Sequence, residues 1–182
     1  MGQVAVPFAA GIVGLGFVGY LVWEVLRRDP GNELMVRISS SIQEGARAFL
    51  RREYSYVSVL VLIIAAFIAL APVLTGRPDL PLGWRTSITF IVGAVVSALA
   101  GYIGMSIATK ANARTTEAAR QGGVKGALGV AISAGAVMGM SVSSLALLGL
   151  AVVYFVFREP VIVNGYAMGA SLVALFARSG GG

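Results

Sequence analysis

The 182-residue chain contains no cysteine and no histidine. Without cysteine it has neither a disulfide framework nor a thiolate metal site. Without histidine it lacks imidazole acid–base chemistry, Ser-His catalysis and the commonest metal ligand. Charge is scarce as well. Only 12% of residues are Asp, Glu, Lys or Arg, about half the share in soluble domains. No stretch alternates apolar and polar residues with period two, which argues against a β-barrel.

Hydrophobic residues make up 57% of the chain and its mean hydropathy is +0.85. A water-soluble chain of this length has too little polar surface to cover so much apolar material, so composition points to a lipid-embedded, all-α protein. Spanning helices need about 20 apolar residues. Five stretches answer to that description: 4–26, 54–74, 84–108, 127–157 and 161–178. The expected architecture is therefore a multi-pass transmembrane helix bundle of one domain. The first stretch lacks a basic leader, only Met1, Gly2 and Gln3 preceding it, so it reads as a span rather than a cleaved signal.

The net charge of +6 does not indicate nucleic acid, because the basic residues fall between apolar runs. The first connection carries Arg27, Arg28, Arg37, Arg47, Arg51 and Arg52, and the third carries Lys110, Arg114, Arg120 and Lys125. The second holds only Arg77 and Arg85, and the fourth only Arg158. Cationic loops stay cytoplasmic, so the N-terminus is expected outside the cell membrane and the chain end inside.

Within these elements the spacing makes further expectations. Gly93, Ser97 and Gly101, and then Ala131, Gly135, Gly139 and Ser143, repeat every fourth position and predict tight helix–helix packing. Segment 38–54 reads as an amphipathic lead-in to the second span. Ile38, Ile42, Phe49 and Leu50 share part of one face, Arg47, Arg51 and Arg52 meet anionic lipid, and Ser41 with Glu44 fits a capping box. Lys110, Arg114 and Glu117 are spaced to pair along a solvated helix end, and Glu24 to pair with Arg27 and Arg28.

Arg178 stands apart. It lies about 25 Å along a helix that starts near Val161, with Ser171, Ala174 and Leu175 on its face. Either it snorkels to the cytoplasmic interface or it stays in the bundle interior, where a charge marks an ion or substrate path and calls for an acidic partner. No span core offers one. The chain then stops in Ser-Gly-Gly-Gly, which reads as a cut in a longer sequence.

Four strings occur in an order seen in one family: ISSSIQEGARAFLRREY, GAVVSALAGYIGMSIATKANARTTEAA, AISAGAVMGMSVSSLALLGL and GASLVALFARSGGG. Over most of its length the chain resembles the N-terminal part of the membrane-bound pyrophosphatases, the pyrophosphate-energised ion pumps. The resemblance implies a fragment of a homodimeric pump of about sixteen spanning helices per chain. Such a pump hydrolyses magnesium pyrophosphate on the cytoplasmic side and moves protons or sodium outward. It implies Mg2+, leaves K+ or Na+ dependence open, and makes Arg178 a gate residue whose partners lie on helices that follow. Substrate lysines and aspartates would begin after Gly182, so no catalytic, substrate-binding or metal-ligating residue is expected here and the fragment alone is expected to be inactive. Leu172 and Ser179 depart from the serine and valine usual at those positions. The rival expectation is a small structural or assembly protein of the membrane without catalysis.

Overall fold

The computed structural model describes residues 2–77 and 82–181. It is all-α: α1 (Gly2–Leu26), α2 (Glu33–Leu74), α3 (Trp84–Phe157) and α4 (Pro160–Gly181). Each end has a local cause. Asn32 caps α2, its side-chain oxygen accepting from the Met35 N–H at 2.9 Å. This replaces the expected Ser41–Glu44 box. Ser41 sits inside the helix and donates to the Arg37 carbonyl at 3.3 Å. Pro72 stands in the last turn of α2, where its ring discourages continuation. Arg158 takes the left-handed conformation at φ 55°, ends α3 and returns its N–H to Tyr154 O at 2.9 Å. Pro160 then opens α4, a position where its missing N–H costs nothing.

A straight α3 of 74 residues would run about 111 Å. Instead the backbone breaks at Gly123, φ 61° and ψ −155°, a conformation suited to glycine. The two arms, 84–122 and 124–157, fold back on each other. Gly126 abuts the Ala118 carbonyl and Gly104 abuts Met138. These pairs keep a nearly constant sum of residue numbers, the mark of antiparallel packing.

α3 is the hub. α2 runs antiparallel to its first arm, with Tyr54 Oη donating to Ala98 O at 2.7 Å and Ser87 Oγ to Ala65 O at 2.7 Å. α1 runs antiparallel to the second arm, Gly11 against Leu148 and Gly14 against Ser144. α4 runs parallel to the first arm: Arg85 meets Glu159, Thr89 meets Ile162 and Gly93 meets Tyr166. Successive segments therefore alternate in direction.

Two cores result. Val18, Leu21 and Val25 pack with Ile107, Ala111, Ala134 and Val137. Val57, Val61, Ala65 and Ile68 pack with Phe90, Ala94 and Val173. Outside them the apolar surface is bare: Phe67 is 65% exposed, Leu62 61% and Val95 60%. Water would not tolerate contiguous patches of this kind. All four helices are long and apolar enough to cross a membrane.

Candidate functional site

The sequence placed its one chemical expectation on α4. One face of that helix is buried, by Ile162, Gly165, Tyr166, Gly169 and Val173. The other face is exposed along its whole length and carries Asn164, Ala167, Met168, Ser171, Ala174, Leu175 and Arg178. Three polar groups, Asn164, Ser171 and Arg178, thus recur every seventh residue on one uncovered strip of an otherwise apolar helix. The Arg178 guanidinium forms no ion pair among the described residues. Among the described residues nothing covers this strip, whereas the opposite face is locked against α3. Leu172 packs at the edge of the α2–α3–α4 core, and Ser179 borders a cleft shared with Phe49, Glu53 and Tyr56.

That cleft exposes something periodicity missed. Both carboxylate oxygens of Glu53 are buried and have no hydrogen-bond partner among the described residues. Buried carboxylates are normally paired or bonded, so this orphan demands a partner or a proton. The available clue was an acid directly abutting the apolar run that begins at Tyr54.

At the C-terminal end of α1 a polar clasp ties that helix to α3. Arg114 donates from Nη1 to Lys110 O at 2.7 Å and from Nη2 to Leu26 O at 3.2 Å, so one guanidinium ties the end of α1 to α3. Glu117 does not pair with Lys110 or Arg114 as its spacing suggested. Its oxygens accept from Arg120 Nη2 at 2.7 Å and Nε at 2.8 Å, and from Gln121. The helix end is solvated as expected, residues 119–125 being exposed, but Glu117 itself is 2% exposed beneath the α1–α2 connection at Gly31. The Arg120 and Gln121 hydrogen bonds hold its carboxyl at about 2, well below the ordinary 4.5, and Arg120 is raised in return. Glu24 pairs with Arg28 at 3.0 Å, while Arg27 stacks over Trp23 at 4.5 Å.

Two other expectations are corrected. In the α2 lead-in, Ile38 and Ile42 are exposed at 54% and 43%. Leu50 is buried and Phe49 half-buried as expected, but Ser39 takes the place of Ile38 and Ile42 on the packed face, with Gln43 and Ala46 half-buried between Ser39 and Leu50. Ser39 Oγ fixes that face by donating to Thr109 O at 3.3 Å. Of the small-residue stripes, Gly93 does meet α4, but Ala131, Gly135, Gly139 and Ser143 are exposed and the two glycines face open space within this chain.

Among the described residues no three His, Cys, Asp or Glu side chains gather to hold a metal ion.

The profile of the family described as inorganic H+ pyrophosphatase matches residues 12–182. The chain is 46% identical over 180 residues to a K(+)-insensitive pyrophosphate-energized proton pump of Pyrobaculum aerophilum, covering 94% of this chain and 24% of that protein. It is 40% identical over 173 residues to a protein of the same name from Methanosarcina mazei, covering 95% and 24%. It is 43% identical over 174 residues to a putative K(+)-stimulated pyrophosphate-energized sodium pump of Clostridium tetani, again covering 95% and 24%. The chain thus spans about a quarter of the length of the curated relatives it matches.

Proposed function

The chain belongs to the inorganic H+ pyrophosphatase family, and from that premise we propose that it supplies the first five membrane crossings of a pyrophosphate-driven ion pump. α1, the second half of α2, the two arms of α3 and α4 are these crossings, with the N-terminus outside the cell membrane and the cationic connections in the cytoplasm. The pump hydrolyses magnesium pyrophosphate on the cytoplasmic side and exports protons or sodium. It works as a homodimer, and its magnesium and pyrophosphate ligands stand on the helices that complete it.

The observation that carries this reading is the uncovered strip of α4. A cation at membrane depth is costly unless paired, and Arg178 has no acidic partner among the described residues. Asn164 and Ser171 extend the same strip with groups suited to water or a moving ion. The face is thus built to be completed by helices bearing a carboxylate, and Arg178 acts as the gate where hydrolysis and ion movement meet.

The test uses the full-length pump in sealed vesicles. Arg178→Ala is expected to abolish pyrophosphate-driven ion uptake, and unaltered uptake would remove Arg178 from the gate. A reporter fused at Gly76 is expected on the outside, and a cytoplasmic reporter would overturn the orientation. The 182-residue chain alone is expected not to hydrolyse pyrophosphate, and magnesium-dependent hydrolysis by it would defeat the division of labour proposed here.

A further inference from the structure

We propose that the cleft between the α2 lead-in and the first arm of α3 binds the phosphate headgroup of an anionic lipid. The cleft has a volume of about 320 Å3, and Gln43, Arg47, Leu50, Tyr102, Ser106 and Lys110 are among its lining residues. It opens between two ties that fix the helices in register, Ser39 to Thr109 O and Tyr54 to Ala98 O.

Its chemistry is cationic above and apolar below. Arg47 spends Nε on the Gln43 carbonyl at 3.3 Å, which orients the side chain and leaves its terminal nitrogens uncommitted. Neither Arg47 nor Lys110 joins an ion pair among the described residues, and neither do Arg37, Arg51 or Arg52 of the same lead-in. Two free cations from different helices line one cleft, a combination that calls for an anion. Buried Leu50 forms the lower wall. Tyr102, half exposed, begins an apolar strip on the first arm that continues through Leu99 at 47% and Val95 at 60% exposure.

The adjoining apolar strip selects lipid over a soluble anion. Measured from Tyr54, where the apolar run of α2 begins, Arg47 stands about 10 Å and Lys110 about 18 Å further out, while the apolar run of the first arm ends at Ala108, only about 3 Å short of Lys110. The cations therefore stand at and beyond the edge of the two apolar runs, and the exposed strip from Tyr102 to Val95 leads from the cleft along the apolar segment, where an acyl chain would lie. Inorganic phosphate or pyrophosphate would satisfy the cations but leave that strip unused.

The placement in the cytoplasmic leaflet rests on the orientation proposed above, but the binding does not. The test is therefore made in detergent micelles, which have no sides. Full-length protein is titrated with phosphatidylglycerol and with phosphatidylcholine, and bound lipid is counted by native mass spectrometry. One phosphatidylglycerol per chain is expected to persist, and phosphatidylcholine is not. The double variant Arg47→Gln, Lys110→Gln is expected to weaken retention roughly thirtyfold, at about fivefold per cation. Arg51→Gln with Arg52→Gln, neither of which lines the cleft, is expected to leave it nearly unchanged. Should the double variant not fold, the two single variants carry the same comparison. Retention indifferent to Arg47 and Lys110, or equal retention of phosphatidylcholine, overturns the proposal. So does displacement of the lipid by millimolar inorganic phosphate or pyrophosphate, which would make the cleft a soluble-anion site.

Discussion

Gly93 and Gly169 face across the α3–α4 contact in a reciprocal arrangement. A side chain on Gly93 would strike the backbone at Tyr166 and Ala170, and one on Gly169 would strike the backbone at Phe90 and Ala94. The obstacles are main-chain atoms, which no rotamer change can move. Gly93→Val and Gly169→Val are each expected to lower stability by about 1–3 kcal/mol or more, read as a fall in the thermal midpoint in detergent. Gly135→Ala is the contrast, because its Cβ would meet nothing within 4 Å in this chain. It is expected to be neutral in the 182-residue chain. If the remaining helices cover that stripe, the same change becomes destabilising in the full-length pump.

Thr89 ties the same contact by a hydrogen bond. Its hydroxyl lies 2.9 Å from Ile162 O and 3.0 Å from Thr86 O. With one proton it donates to one carbonyl at a time, and the cross-helix bond leaves Ile162 O satisfied in a buried site. Thr89→Val keeps the shape and removes the donor, so it is expected to cost about 0.5–1.5 kcal/mol. A midpoint equal to the parent would show that the carbonyl finds another donor.

These contacts explain what the sequence could and could not reveal. Runs of apolar residues of lipid-spanning length are set by composition alone, so the positions where charge, proline and glycine interrupt them at Leu26, Leu74 and Phe157 are visible without a structure. Which face of a helix packs is decided by its neighbours. Ile38 and Ile42 were the more hydrophobic choice, yet Ser39 faces Thr109 because the register fixed by Tyr54 and Ala98 carries it there. Spacing likewise offered Glu117 two cations toward its N-terminal side, and it took Arg120 instead, since Arg114 is committed to Leu26 O. The site suffered the same loss: Arg178 was legible as a cation on the fifth apolar stretch, with snorkelling and bundle interior both open, but the seven-residue spacing of Asn164, Ser171 and Arg178 gains meaning only once the opposite face of α4 is seen to be occupied.

Glu117 gives the chain a defined acid response. Its folded carboxyl sits at about 2, against an ordinary 4.5. A depressed carboxyl contributes stability that is complete above about pH 4.5 and is lost progressively as pH falls toward 2. Glu117→Gln lacks that contribution at every pH. The difference in thermal midpoint between parent and variant is expected to be constant from pH 7 to about 5 and to shrink below it. Parallel curves down to pH 3 would show that the Arg120 contact does not hold the charge.

Arg114 is expected to resist replacement by lysine. Its guanidinium reaches Lys110 O and Leu26 O from two nitrogens at once, a fork that an ammonium on a flexible stem reproduces poorly. Leu26 O is one of the unpaired carbonyls that end α1, where a cation is also favoured by the helix dipole. Arg114→Lys is expected to cost about 1 kcal/mol and Arg114→Leu about 1–3 kcal/mol. Hydrogen exchange at the last turn of α1 should rise in both, and exchange unchanged there would place the stabilisation elsewhere.

Glu53 yields the sharpest test of how this chain is completed. Its two oxygens are buried and bond to nothing among the described residues, although Arg52, Tyr56 and Ser179 line the same cleft and Arg52 donates instead to Tyr56 Oη at 3.4 Å. Burial pushes its carboxyl above the ordinary carboxylate range, so within this chain the charged form is disfavoured. An amide has the same shape and no charge. In the 182-residue chain Glu53→Gln is therefore expected to be neutral or to raise stability by about 1 kcal/mol. In the full-length pump the result depends on what lies against this flank of α2 and α4. A cation from another helix would turn the same substitution into a loss of about 3 kcal/mol or more, because removing one partner strands the other. Thermal midpoints of the two parent–variant pairs, measured in one detergent, separate these cases. Equal effects in both would mean that Glu53 stays a neutral packing residue in the assembled pump. A loss confined to the full-length protein would mean that α2, like α4, presents a charge made for a helix outside this chain.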